Sequence, residues 1–140
     1  MASLTIDGRR VLTPRERSAL CSLRSHFREV RLLVVGATAL RCFGALSHRV
    51  TEDVDLVVCA DAGSFEHELA KHAEWSPDPG VAHRWRFESE LRVDIVAVGA
   101  GGTIPAMVRH GDREFNTNGI ASAFAHAEQL YLGEGVGVSV

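Results

Sequence analysis

The chain has no surplus of positive charge. Its 15 Lys and Arg are outnumbered by 18 Asp and Glu, for a formal net charge of -3, whereas domains that coat nucleic acid through bulk electrostatics are strongly basic. That class is set aside, and only a local basic patch stays open. Cysteine is scarce as well: Cys21, Cys42 and Cys59 are odd in number, lie inside apolar segments and form no CxxC pair. They carry no zinc signature and read as buried thiols in a reducing compartment. No apolar run is long, since "LLVVGATAL" falls far short of the roughly 20 residues a membrane-spanning helix needs. The N-terminal "MASLTIDGRRVLTPRER" lacks the apolar h-region of a secretory signal, so a cytoplasmic protein without a membrane partner is expected. Repeats, low-complexity tracts and linkers are missing too.

What is present suits an ordinary globular domain. Apolar residues make up 46% and charged residues 24% of 140 residues, enough for one domain over 1–140 with a real hydrophobic core. A helix is expected from about Pro14 to Arg28, opened by a capping box of Thr13 and Glu16 with Pro14 at its first position, and with Leu20, Leu23 and Phe27 on one face. "RLLVV", 31–35, reads as a strand buried on both faces and ended by Gly36, followed by a helix over about Ala37 to Leu46. "DVDLVVC", 53–59, is the next strand. A helix over Phe65 to Ala73 follows an Asp61-Gly63-Ser64 cap, and "SPDPG", 76–80, reads as a loop. "VAHRWRFES" and "LRVDIVAV" form a hairpin turning near Glu88 to Glu90. Beyond Pro105 the pattern weakens to a short helix over 118–127 and two strands about a Gly-Glu-Gly turn.

Two carboxylates in an apolar strand call for an explanation. Side chains alternate along a strand, which sends Arg49, Thr51, Asp53 and Asp55 to one face and Val54, Leu56 and Val58 to the other. In the later strand Leu91, Val93, Ile95 and Ala97 take the apolar face, and Glu90, Arg92 and Asp94 the opposite one. Carboxylates about 7 Å apart on one face repel each other and lose hydration unless cations neutralise them. Mg²⁺ takes one or two carboxylates, keeps waters and completes its shell with phosphate oxygens, so Asp53, Asp55 and a third Asp94 suit metal-assisted phosphoryl or nucleotidyl transfer. The Gly36-Ala37-Thr38 turn at a helix start offers backbone N-H groups and a hydroxyl to a triphosphate. Arg49 suits a phosphate clamp, with a structural pairing to Glu52 or Asp53 as the alternative. Arg84 and Arg86 read as solvated arginines of an amphipathic strand rather than a polyanion-binding face. His67 and His72 do not share a helix face well enough for a metal pair.

"VGATAL...HRVTEDVDLVV" resembles the signature of nucleotidyltransferases of the DNA polymerase β superfamily: an apolar strand, a small-residue turn, then Asp-x-Asp on the next strand. It resembles more closely the AbiEii-like bacterial nucleotidyltransferases, with their Arg-x-Thr-x-Asp-(apolar)-Asp string, here Arg49, Thr51, Asp53, Val54 and Asp55. "VDIVAV" is similar to the family's third-carboxylate strand, and "NTNGIASAFAHAEQLYLGEGVGVSV" to the helix and hairpin after it. The resemblance implies an α+β nucleotidyltransferase fold, a mixed β-sheet flanked by helices. It implies Mg²⁺ or Mn²⁺ at Asp53 and Asp55, and Asp94 as a metal ligand or as general base on the attacking hydroxyl. It implies NTP phosphates held by Gly36, Ala37 and Thr38, with Arg49 and Thr51 beside them. The acceptor would be a hydroxyl of tRNA, of a protein or of a small molecule, and some relatives are toxins of toxin-antitoxin pairs, which implies an antitoxin or a second copy as partner. Ala37 stands where many members have Gly or Ser. Longer members continue past the point where "GVSV" ends this sequence, into helices bearing a Lys and further acidic residues. The competing expectation is therefore a module of the same fold that binds a nucleotide or a partner with impaired catalysis.

Overall fold

The computed structural model describes residues 4–44, 53–101 and 103–140. Its elements run β1 (Thr5–Asp7), α1 (Gly8–Val11), α2 (Pro14–His26), β2 (Leu32–Val35), α3 (Gly36–Cys42), β3 (Asp53–Val58), α4 (Ala62–Leu69) and β4 (Trp75–Pro77). They continue with β5 (Arg84–Phe87), β6 (Leu91–Ala97), β7 (Met107–His110), β8 (Arg113–Asn116), α5 (Ile120–Ala125), β9 (Gln129–Gly133) and β10 (Val136–Ser139). Eight strands form one mixed sheet in the order β1-β9-β10-β2-β3-β6-β5-β4, and β7 and β8 pair separately. This is an α+β fold, a mixed sheet flanked by helices, as the sequence predicts.

The local signals explain most of these elements. The Thr13 hydroxyl accepts from the Glu16 amide at 3.1 Å and the Glu16 carboxylate accepts from the Thr13 amide at 2.8 Å, so the capping box opens α2. Leu20, Leu23 and Phe27 are buried from that helix. α4 starts at Ala62 rather than Phe65, because Asp61 is itself the N-cap and its carboxylate accepts from the Ser64 amide. It stops at Leu69 rather than Ala73, because the chain turns there to enter β4 and leaves Ala73 exposed. The segment expected as loop over 76–80 is half strand: Trp75–Pro77 is the outermost strand of the sheet, where a proline costs no ladder hydrogen bond. The expected helix after β2 spans Gly36–Cys42, and its expected end at Leu46 lies outside the described residues. β1, α1 and the β7–β8 hairpin carry no periodic signal and were not anticipated.

The sheet has two unlike faces. On one, Val54, Leu56, Val58, Val93 and Ile95 pack with Leu20 and Leu23 of α2 and Phe65 and Leu69 of α4 into the main core. On the other, Leu33, Val57 and Val98 meet Phe124 of α5, with Val96, Val108 and Ile120 at the margin. That second layer is small, and Asp53, Asp55 and Asp94 lie on the same face, half-buried. The cysteines are free thiols, and burial pushes the pKa of each above the usual thiol value. Among the described residues no helix is long and apolar enough to cross a membrane.

Candidate active site

β3 and β6 run side by side and parallel, in a register that sets Asp55 directly opposite Asp94 and Asp53 opposite Arg92. β2 lies antiparallel on the other flank, with Val35 opposite Asp55. The alternation read from sequence holds: Val54, Leu56 and Val58 enter the core, and the aspartates turn to the other face.

Gly36 follows β2 with φ +68°, a conformation that glycine adopts freely. A Cβ placed there would come within 2.5 Å of the Asp55 Oδ2. The glycine thus lets the carboxylate of Asp55 lie against the backbone at the start of α3. Thr38 is placed differently from its expected role: it is fully buried, and its hydroxyl donates to the Asp53 carbonyl oxygen at 3.3 Å, fastening α3 to β3. Ala37, one residue earlier, is half-buried. Arg49 and Thr51 lie outside the described residues.

The three carboxylates differ in their surroundings. Arg84 of β5 forks onto Asp94, with Nε to Oδ1 at 2.9 Å and Nη2 to Oδ2 at 3.3 Å, a bidentate pair. Arg92 donates from Nε to Asp53 Oδ1 at 2.9 Å. Among the described residues no cation pairs with Asp55, and burial first, then the nearby charges of Asp94 and Asp53, hold its pKa above the usual carboxylate value. The buried His83 places Nε2 3.7 Å from Asp94 Oδ2. Its burial lowers its pKa against the opposing pull of Asp94, which favours the uncharged ring. The aspartates share a face, yet their oxygens do not form a set lying within 4.8 Å of one another.

A cavity of about 260 Å³ opens here, lined by Asp55, Asp94 and Gly36 and by the apolar Val57, Val96, Phe115 and Ile120. Phe115 comes from β8, which the sequence does not announce, and Ile120 from α5, the short helix expected over 118–127. The pairing of Arg84 with Asp94 was readable in principle. A hairpin centred on Ser89 places residue 84 beside residue 94, the register observed between β5 and β6.

A family model described as "Nucleotidyl transferase AbiEii toxin, Type IV TA system" matches residues 18–113. The chain belongs to the AbiEii family. The matched span starts within α2, contains the whole β2-α3-β3 unit, β5 and β6, and ends at the first residue of β8. All three aspartates, Gly36, Arg84 and Arg92 fall inside it, and α5, β9 and β10 lie beyond. Membership makes the general class of the protein a nucleotidyl transferase, in a family of toxins of toxin-antitoxin systems. No curated protein and no solved structure matches the chain.

Proposed function

We propose that the protein is a metal-dependent nucleotidyltransferase that moves a nucleoside monophosphate from an NTP to an acceptor hydroxyl, with Asp55 at the centre of its site. One observation carries the reading. Asp55 and Asp94 stand opposite each other on adjacent strands and line one cavity, with the Asp55 carboxylate seated against Gly36. A half-buried carboxylate beside two others is unfavourable for folding and suits an incoming cation. Hard oxygen donors fit Mg²⁺ or Mn²⁺, and one or two carboxylates suffice because phosphate oxygens and waters complete the shell. When bound, such an ion neutralises polyphosphate charge and polarises the phosphorus centre.

The chain's own residues have distinct parts in this proposal. Asp55 and Asp53 hold the metal. Asp94 ligates it as well or takes the proton of the acceptor hydroxyl, oriented by Arg84. Gly36 and Ala37 offer backbone to the phosphates, Arg49 and Thr51 supply side-chain donors to them, and the apolar wall takes the flat face of the base. Arg84 and Arg92 are long and partly exposed, so on nucleotide binding they can move from carboxylate to phosphate oxygens, which the guanidinium fork fits equally well. The acceptor is a hydroxyl of tRNA, of a protein or of a small molecule, and an antitoxin restrains the reaction in the cell.

The paired arginines favour a second reading, a domain that binds nucleotide or a partner without turnover, because Arg84 and Arg92 already neutralise Asp94 and Asp53. Two measurements separate the readings. Calorimetry is expected to show NTP binding that requires Mg²⁺ and disappears in Asp55→Asn; wild-type affinity in that variant removes Asp55 from the site. Pyrophosphate release with tRNA or a protein acceptor supports the enzyme, and binding without release supports the module. Growth arrest on expression, relieved by a neighbouring gene, is the result expected of a toxin.

A further inference from the structure

We propose that His26, His72 and Glu74 form a zinc site on the side of the sheet that α2 and α4 cover, opposite the aspartates. His26 is the last residue of α2, and His72 and Glu74 lie in the turn that carries the chain from α4 to β4. One ligand atom from each falls within 4.8 Å of the others. The two imidazoles stack with centroids 3.4 Å apart and planes 17° from parallel.

A simple His-Glu contact explains only part of this arrangement. His26 Nε2 lies 2.7 Å from Glu74 Oε1, an ordinary hydrogen bond. His72 has no such role: its Nε2 is shielded from solvent and has no hydrogen-bond partner. Glu68 Oε1 lies 3.8 Å away, too far for a hydrogen bond. Two imidazole nitrogens and the Glu74 carboxylate, with the Glu68 carboxylate at the margin, are donors of the kinds that Zn²⁺ takes in tetrahedral sites. The first carboxylate is also oriented from behind. Ser22 Oγ donates to Glu74 Oε1 at 3.0 Å and accepts from the Trp75 indole at 2.9 Å, the outer support that metal ligands commonly have. Zinc donors sit about 2.0–2.2 Å from the ion, and each ring nitrogen binds along its own ring plane, so one imidazole turns out of the stack to aim its lone pair at an ion shared with the other two ligands. Binding there would tie the end of α2 to the turn before β4.

The test uses tag-free full-length protein and the metals alone. Co²⁺ is expected to give visible absorption bands of tetrahedral intensity at one equivalent, displaced by Zn²⁺, and Zn²⁺ is expected to raise the Tm. His72→Phe keeps a ring for stacking and removes the donor. It should weaken Zn²⁺ binding by at least about 100-fold, because even outer-shell partners are worth about 10–100-fold. Asp55→Asn should leave binding unchanged, which separates this site from the aspartates. Should His72→Phe fail to fold by circular dichroism, Glu74→Gln replaces it with the same expected loss. Absence of a Co²⁺ spectrum together with non-saturating Zn²⁺ binding, or wild-type affinity in the folded ligand variant, overturns the proposal.

Discussion

Asp55 illustrates how one side chain can oppose folding. Burial and two neighbouring aspartates raise its pKa in the folded state. Between the ordinary value of 3.8 and that higher value, the native state binds more protons than the unfolded chain, so stability falls as pH rises through the window. Asp55→Asn removes this penalty. The variant is expected to melt at a higher temperature than the parent at pH 7, with the gain fading below the ordinary aspartate pKa, in a thermal melt repeated across pH. If Asp55 holds the metal, the same change abolishes nucleotide transfer, a stability-activity opposition common at working sites. Gly36 is the matching backbone position. Gly36→Ala meets a positive φ and a 2.5 Å approach to the Asp55 carboxylate, so a loss of about 1–3 kcal/mol is expected in urea denaturation.

At the scale of elements, α2 holds itself and its neighbour through one buried carboxylate. Glu16 closes the capping box with one oxygen and pairs with Arg41 of α3 through the other, while only 2% of the residue is exposed. Thr13→Ala should cost about 1 kcal/mol, the usual worth of an N-cap. Arg41→Ala should cost more, about 1.5–3 kcal/mol, because it strips the charged hydrogen bond from a buried acid. Denaturant titration of both variants checks that order, and equal losses would mean that Glu16 does not link the two helices. The elements readable beforehand were those with local chemistry. The Thr13-Pro14-Glu16 start, the apolar runs of β2 and β3 and the Glu88–Glu90 turn all depend on residues close together in sequence. β4 was not readable, since Trp75–Pro77 is a strand only because Phe87 and Trp85 pair with it. The β7–β8 hairpin, rich in charge and exposed, likewise shows no alternation of burial strong enough to mark it.

Across the whole molecule, the last strand is not peripheral. β10 sits between β9 and β2, and so connects the β1-β9 edge to the strands that carry the aspartates. Val138 and Val140 are buried in the main core, and Val140 exchanges both backbone hydrogen bonds with Glu128. Removing residues 136–140 would expose the edges of β9 and β2 together with that apolar surface. The shortened chain is expected to lose its cooperative thermal transition and bind a hydrophobic dye, and a sharp transition at the parental Tm would show that β10 is dispensable. The family match ends at residue 113, yet the sheet needs the segment beyond it.

The sequence by itself determined which side of β3 and of β6 is apolar, where α2 begins, and that Asp53, Asp55 and Asp94 share a face. Those properties follow from the two-residue period of a strand and from capping groups three residues apart. Tertiary structure alone decided what surrounds the aspartates: Arg92 beside Asp53, Gly36 against Asp55, and the wall from β8 and α5. It also brought His26 to His72 and Glu74. Such meetings depend on strand order and helix packing between distant segments, which no local periodicity encodes.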